Sequence, residues 1–512
     1  MATANTDLLD QSHHERSLER AQAQADLTGS RVFLRFSKSL ENQDIWPHPG
    51  LSFSPGELRV AWADGREGQS FWAVGLAAEI RCAHLIRFAQ AHKGCSEFCE
   101  QTLDVPLSEV GGPAGSAVPL AVGGFAFTPR QVPSDDVWEG WEDGALWVPR
   151  LLFFRSASDA GVSLTLVVEP GQALSELRRE LVVELARLEE EVSRLSVREL
   201  SESEPQAFVA PLLRRWTPEE RADHRQSWCA RAEKARRAIR AGKLDKVVLA
   251  RSQEWTAPAG SSFDALQTAH RLREQYPTCK VFLIQREDGS SFVGATPELL
   301  VGLKGENVQA VSLAGTTRRG VSEKEDAALG EALVASAKEQ HEHRLGTDAI
   351  RRSFEPVVED LVIAEEPHLL RLQNVQHLET PIQGRLDRTR GIMELVSRLH
   401  PTPAVGGTPA HEAQRWLQEN ENLERGWYAG VVGWVTPGGD GQFAVAIRSA
   451  LLRPDRAWAF AGAGLVADSD PGLEWEETNL KLQAMSRSLV VRPVPVERLS
   501  SEEPLDQRGA RP

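Results

Sequence analysis

Residues 426–466, GWYAGVVGWVTPGGDGQFAVAIRSALLRPDRAWAFAGAGLV, read as a three-strand meander, and the turn PGGDGQ carries the glycine a hairpin needs. Short apolar runs rich in β-branched and aromatic residues precede it in clusters: RVFLRF, LRVAWA, SFWAVGLAAEI, GGFAF, LWVPRLLFFR and VSLTLVVEP, then KVVLARSQEW, KVFLIQ and SFVGATPELLVGL. Helical periodicity also comes in blocks. ALSELRRELVVELARLEEEVSRL steps its apolar residues by three and four, RADHRQSWCARAEKARRAIRAG stops at Gly242, and EKEDAALGEALVASAKEQHEHRLGTDAIRRSF reads as one long helix. Strands and helices in runs, without strict alternation, predict an α+β chain and not a doubly wound one.

The 512 residues allow a large core and one to three domains. Residues 1–25 are polar and predict a disordered leader; residues 26–205 form a β-rich region ending in the linker SVRELSESEPQAFVAP. Residues 206–490 hold the denser pattern, and the Pro- and Glu-bearing stretch 491–512 predicts a flexible tail. Acidic residues (73) outnumber basic ones (58), and no basic tract is interleaved with aromatics, so nucleic acid is not an expected partner. The 5 cysteines are too scattered for a disulfide framework. His92, Cys95 and Cys99 lack a fourth metal ligand at the usual spacing and read as an ordinary histidine and two free thiols. No apolar run is long enough to span a membrane and no signal core opens the chain, so a cytoplasmic location is expected.

Two carboxylate pairs invite chemistry. Glu474 and Glu477, after the glycines Gly462 and Gly464, are three apart, as are Glu339 and Glu342 in AKEQHEH. Each pair alone is an ordinary solvated helix face. Two pairs converging in a cleft would repel unless a hard divalent cation lay between them, and magnesium suits such oxygen ligands. The histidines flanking Glu342 are expected to face outward. Arg448 sits among apolar residues in VAIRSALL, a costly place without an anionic partner. Lys246 opens a strand and could be merely solvated, Glu298 in GATPELL could cap a turn or project into a cleft, and the pair Gly462 and Gly464 could offer backbone N–H groups or only make a tight turn.

Together KVVLARS, FVGATPELLVGL, SLAGTTRRG, SAKEQHEHRL, NVQHLETPIQGRL, LHPTPAVGGTP, RGWYAGVVGW, VAIRSALL and GAGLVADSDPGLEWEETNLK resemble, in order, the chorismate-utilising enzymes. The resemblance covers about residues 216–490 and extends faintly into the N-terminal part through SFWAVGLA and GGFAF. It implies two large antiparallel β-sheets packed face to face with helices outside and the site in the cleft between them. Lys246 stands where ammonia-using members carry Gln, Ala314 where one branch has a nucleophilic lysine, and Ala404 where anthranilate and salicylate synthases carry Thr. Isochorismate synthase is the branch most similar; salicylate synthase, which goes on to lose pyruvate, is the alternative, and a non-catalytic chorismate-binding protein a more remote one.

By resemblance Lys246 is the general base and Glu298 the general acid. Glu342 and Glu477 would hold magnesium with Glu339 and Glu474 in support. Tyr428, Arg448, Gly462 and Gly464 would hold the enolpyruvyl carboxylate. Lys481 would lie near the ring carboxylate, His377 beside the reacting ring, and Gly315 and Ala404 along the pocket. No glutaminase subunit is implied, and a monomer is expected. The acid role requires a carboxyl that keeps its proton near neutrality.

Overall fold

The protein is described here by a computed structural model covering residues 11–40, 45–47, 56–106, 118–130, 137–157, 159–196, 208–209, 217–387 and 390–494. Its plan follows from two long strands, Gln69–Arg81 and Gly144–Arg155, paired antiparallel over most of their length. The first half of Gly144–Arg155 also pairs with Ala121–Phe125, and the second half with Ala160–Val168. A register shift between Leu76 and Ala78, beside Gly75 at φ 71°, marks where the pair passes from one layer to the other.

One layer runs outward from this pair through Arg59–Asp64, Lys280–Gln285, Ser291–Thr296, Ser449–Leu452, Arg456–Leu465 and Lys246–Thr256. The other runs through Ala121–Phe125, Val431–Val435, Gly441–Val445, Leu299–Lys304, Asn307–Arg318 and Val375–Leu386. The architecture is α+β, and among the described residues the two layers, antiparallel except where Val32–Ser39 pairs with Thr102–Pro106, are joined into one hydrogen-bonded sheet of 20 strands. The N-terminal region thus supplies strands to both layers.

Period-two alternation sorts the core. Trp62, Phe71, Phe282 and Phe292 enter the larger apolar cluster, shared with the second layer and with helices Arg87–Glu100 and Ile392–Leu399. Their strand neighbours Ala61, Ala63, Trp72, Val281 and Val293 enter a second cluster under helices Gln11–Thr28, Leu174–Ser196, Ala265–Gln275 and Pro471–Ser486.

The chain crosses between layers twice at one place. Pro297 and Glu298 carry it from Ser291–Thr296 to Leu299–Lys304; Ala446, Ile447 and Arg448 carry it back from Gly441–Val445 to Ser449–Leu452. The crossings are bonded together: Val445 N–H donates to Glu298 O at 3.1 Å, and Ala295 N–H to Arg448 O at 3.1 Å.

Five expectations are corrected. The leader 1–25 is helical from Gln11, because Leu18, Ala21 and Ala25 form a stripe of small apolar residues that packs into the second cluster; residues 1–10 lie outside the described ones. The tail begins as strand Val490–Pro493, which joins Ser261–Phe263 and Phe208–Val209 in a three-stranded sheet, so part of the linker is also a strand. The single long helix is two, Glu323–Ala335 and Ala337–Phe354, since Ser336 is extended and its hydroxyl caps Glu339 N–H. His341 faces solvent as expected, whereas His343 is buried against Thr380, with 2.7 Å between Nε2 and Oγ1.

Candidate active site

The paired crossings put Glu298 and Arg448 into one cavity of about 50 Å³. Its wall also includes Glu339, Glu342, Glu477, Lys481, His377, Gly315, Ala404 and Gly464. A cavity this size holds a few waters, well below the several hundred Å³ usual for a ligand pocket, so a substrate must displace side chains to be seated.

Glu298 is 3% exposed and its nearest polar partner is the Thr402 hydroxyl, 3.5 Å from Oε1. Burial pushes its carboxyl up to about 7, against the opposing pull of the Arg448 and Lys246 charges. Arg448 takes up φ 52°, the left-handed conformation that turns its guanidinium out of the strand path. Its Nη2 donates to His377 Nε2 at 3.0 Å, while His377 Nδ1 lies 3.0 Å from Gly315 O. A guanidinium only donates and a carbonyl only accepts, so the imidazole is neutral with its proton on Nδ1. Burial, then the charges of Arg448 and Lys481, hold its pKa well below the usual histidine value. Gly315, at φ 70°, makes the bulge that presents this carbonyl; a Cβ there would lie 3.2 Å from Glu339 Oε2.

The four carboxylates arrive on two capped helices. Ser336 caps Ala337–Phe354, which carries Glu339 and Glu342; Asp470 caps Pro471–Ser486, which carries Glu474 and Glu477. Glu339 and Glu474 thus sit in first turns, where the helix dipole favours negative charge. Each carboxylate meets a lysine. Lys246 Nζ is 2.9 Å from Glu342, Lys481 Nζ is 2.6 Å from Glu477, and Lys338 Nζ is 2.9 Å from Glu474 and 3.3 Å from Glu339. Burial, then the charge of Glu477, pushes Glu474 up to about 7, and burial raises Glu339. At Glu342 burial acts upward too, but the charges of Lys246, Lys338 and Lys481 prevail and hold it below its usual value.

Gly464 makes room for this arrangement: a Cβ there would stand 2.2 Å from Glu342 Oε1 and 3.0 Å from Lys246 Cε. Among the described residues no three His, Cys, Asp or Glu side chains are already gathered as a metal cage. Glu342 and Glu477 both face the cavity, and a two-carboxylate set completed by waters and an anionic ligand fits magnesium.

Lys246, Glu474, Tyr428 and Gly462 stand behind the wall. Lys246 is 1% exposed and reaches the cavity through Glu342. Tyr428 stacks on Phe460 at 5.1 Å and burial pushes its hydroxyl up to about 12. Gly462 and Gly464 lie inside strand Arg456–Leu465, so neither makes the tight turn weighed for them, and the Gly462 carbonyl oxygen accepts from Lys481 Nζ at 2.8 Å. Two features were missed. Lys338 stands beside Glu339 in SAKEQ, and its charge opening an acidic helix was the available signal. The buried pair Glu421–Arg425 has a four-residue spacing that looks like any surface pair. Arg425 donates to Glu421, to Val248 O at 2.6 Å and to Val405 O at 2.7 Å, and Glu421 accepts Ala250 N–H at 2.6 Å, so it fastens the Lys246 strand to the Ala404 loop.

The comparisons with known proteins agree with this geometry. Residues 19–490 match the family described as chorismate binding enzyme. The salicylate biosynthesis isochorismate synthase of Pseudomonas aeruginosa is 35% identical over 92% of this chain and 93% of that protein. The isochorismate synthase MenF of Bacillus subtilis is 34% identical over 72% of this chain and 74% of its own length. The solved structure of the menaquinone-specific isochorismate synthase MenF of Escherichia coli superposes with a TM-score of 0.68 over 92% of this chain and 99% of that one, at 24% identity, a likeness of fold. A family match over nearly the whole chain, on a fold whose layer crossings deliver the expected acid and arginine to one cavity, means that this chain belongs to the chorismate-binding enzymes.

Proposed function

We propose that the protein is an isochorismate synthase, interconverting chorismate and isochorismate with magnesium. The observation that carries this is Glu298, a buried carboxyl with a pKa of about 7 in the same cavity as Arg448, His377 and the carboxylates Glu342 and Glu477. Such a group still holds a proton to give at neutral pH.

Lys246 takes a proton from the attacking water as its oxygen bonds to ring C2. The ring double bonds shift, the C4–O bond breaks, and Glu298 protonates the departing hydroxyl, which leaves as water. One water is consumed and one released, so the reaction is an isomerisation. Lys246 becomes the base by letting go of Glu342 and losing its ammonium proton to solvent, and the Glu342 carboxylate is then available to a cation. A magnesium ion held by Glu342 and Glu477 would supply charge neutralisation and orientation for the ring carboxylate. Arg448 binds the enolpyruvyl carboxylate, and neutral His377, fixed by Gly315 O, aims the guanidinium.

The names of the relatives support this reading, and so do Lys246, the residue that goes with water as nucleophile, and Ala404 on the cavity wall. The protein acts as a cytoplasmic monomer without a glutaminase subunit. The relatives' names divide between menaquinone and salicylate routes, and isochorismate serves both. The test is incubation with chorismate and magnesium, then chromatography of the products, with EDTA as control. Isochorismate alone is expected. Salicylate with pyruvate would show a following elimination, and unchanged chorismate would overturn the proposal.

A further inference from the structure

Three lysines meet the four carboxylates, and the proposed reaction gives Lys338 no part. Lys246 is the proposed base, and Lys481 is the lysine that the resemblance places near the ring carboxylate. Lys338 does not line the cavity, so a bound substrate has no reason to displace it. It stands in the first turn of Ala337–Phe354 with its side chain 34% exposed, and its one ammonium touches Glu339 on its own helix and Glu474 on the helix opposite. Glu474 is 3% exposed and has no lysine other than this one within ion-pair distance among the described residues. Without Lys338, two half-buried or buried carboxylates would face each other across the helix pair that carries the inner ligands.

We propose that Lys338 is a positioning residue: a built-in counter-cation that ties the outer carboxylates Glu339 and Glu474 together, holds the two helices together while no ion is bound, and restrains how strongly the cluster attracts a divalent ion. The proposal rests on the magnesium reading above. It gives Lys338 two opposed effects, supporting the metal-free protein while weakening metal capture. A residue with a purely structural role would show only the first.

The test compares full-length wild type, Lys338→Met and Lys338→Arg by thermal melting in EDTA and in magnesium, and by calorimetric titration with magnesium alone. Lys338→Met should melt several degrees lower in EDTA, regain most of that loss in magnesium, and bind magnesium about tenfold more tightly, the scale expected for one unit charge acting on a divalent ion from about 6 Å in a water-like medium. Lys338→Arg keeps the charge and should match wild type in both. Unchanged or weaker magnesium affinity in Lys338→Met, whatever its melting in EDTA, would overturn the role while leaving the magnesium reading intact. No magnesium binding by wild type would end both. If Lys338→Met does not fold, adding Glu474→Gln, which removes the charge left unpaired, should restore soluble protein; failure to do so also counts against the proposal.

Discussion

At the scale of single residues, Glu298 ties activity to stability. Its carboxyl lies at about 7 in the folded protein against a usual 4.5, so between those values the folded state binds more protons than the unfolded one. Stability from this group is therefore full below the usual value and is lost as pH rises towards 7, an amount on the order of 3 kcal/mol. Glu298→Gln should lose isochorismate formation by about 10²–10⁴-fold. It should also melt higher than wild type at pH 8 and no higher at pH 5, as melting curves across that range would show. Lys246→Gln should lower the rate by a similar 10²–10⁴-fold, measured as initial velocity with magnesium saturating. Gly464→Ala tests the space around Glu342. Its backbone is unstrained but its Cβ meets Glu342 Oε1, so the fold should survive while magnesium affinity falls about tenfold, read by titration calorimetry.

Among secondary-structure elements, the decisive arrangement is one that no local pattern announces. The strands and the meander were legible because β-branched runs and a glycine turn carry their own signal, and the resemblance carried by the ordered motifs implied one cleft for Glu298, Arg448, Glu342 and Glu477, which line one cavity. The bonded pair of layer crossings was not legible, since it depends on strands distant in sequence meeting through Val445 and Ala295 N–H groups. The break at Ser336 was hidden in the same way: both flanking segments are good helix formers, and only the capping hydroxyl distinguishes the junction. Glu421 and Arg425 looked like a surface pair, and only burial against Val248, Ala250 and Val405 gives them meaning. Arg425→Met would leave Glu421 charged and unpaired in the interior. A loss of about 3–5 kcal/mol is expected, measured by denaturant unfolding.

For the whole molecule, the N-terminal helix Gln11–Thr28 was obscured by its polar composition, yet Leu18, Ala21 and Ala25 are all buried. Removing residues 1–28 should cost about 2–4 kcal/mol from the exposed apolar surface and lower the melting temperature, while leaving the turnover of the remaining folded enzyme near wild type because none of the cavity's residues lies there. The interleaving of early and late strands has a further implication. Arg59–Asp64 is seated beside Lys280–Gln285, and Ala121–Phe125 beside Val431–Val435, so neither stretch of polypeptide can finish a sheet without the other. A gene divided between residues 196 and 217 should therefore yield two insoluble fragments when each is expressed separately, and a soluble, reconstituted heterodimer when both are made in one cell.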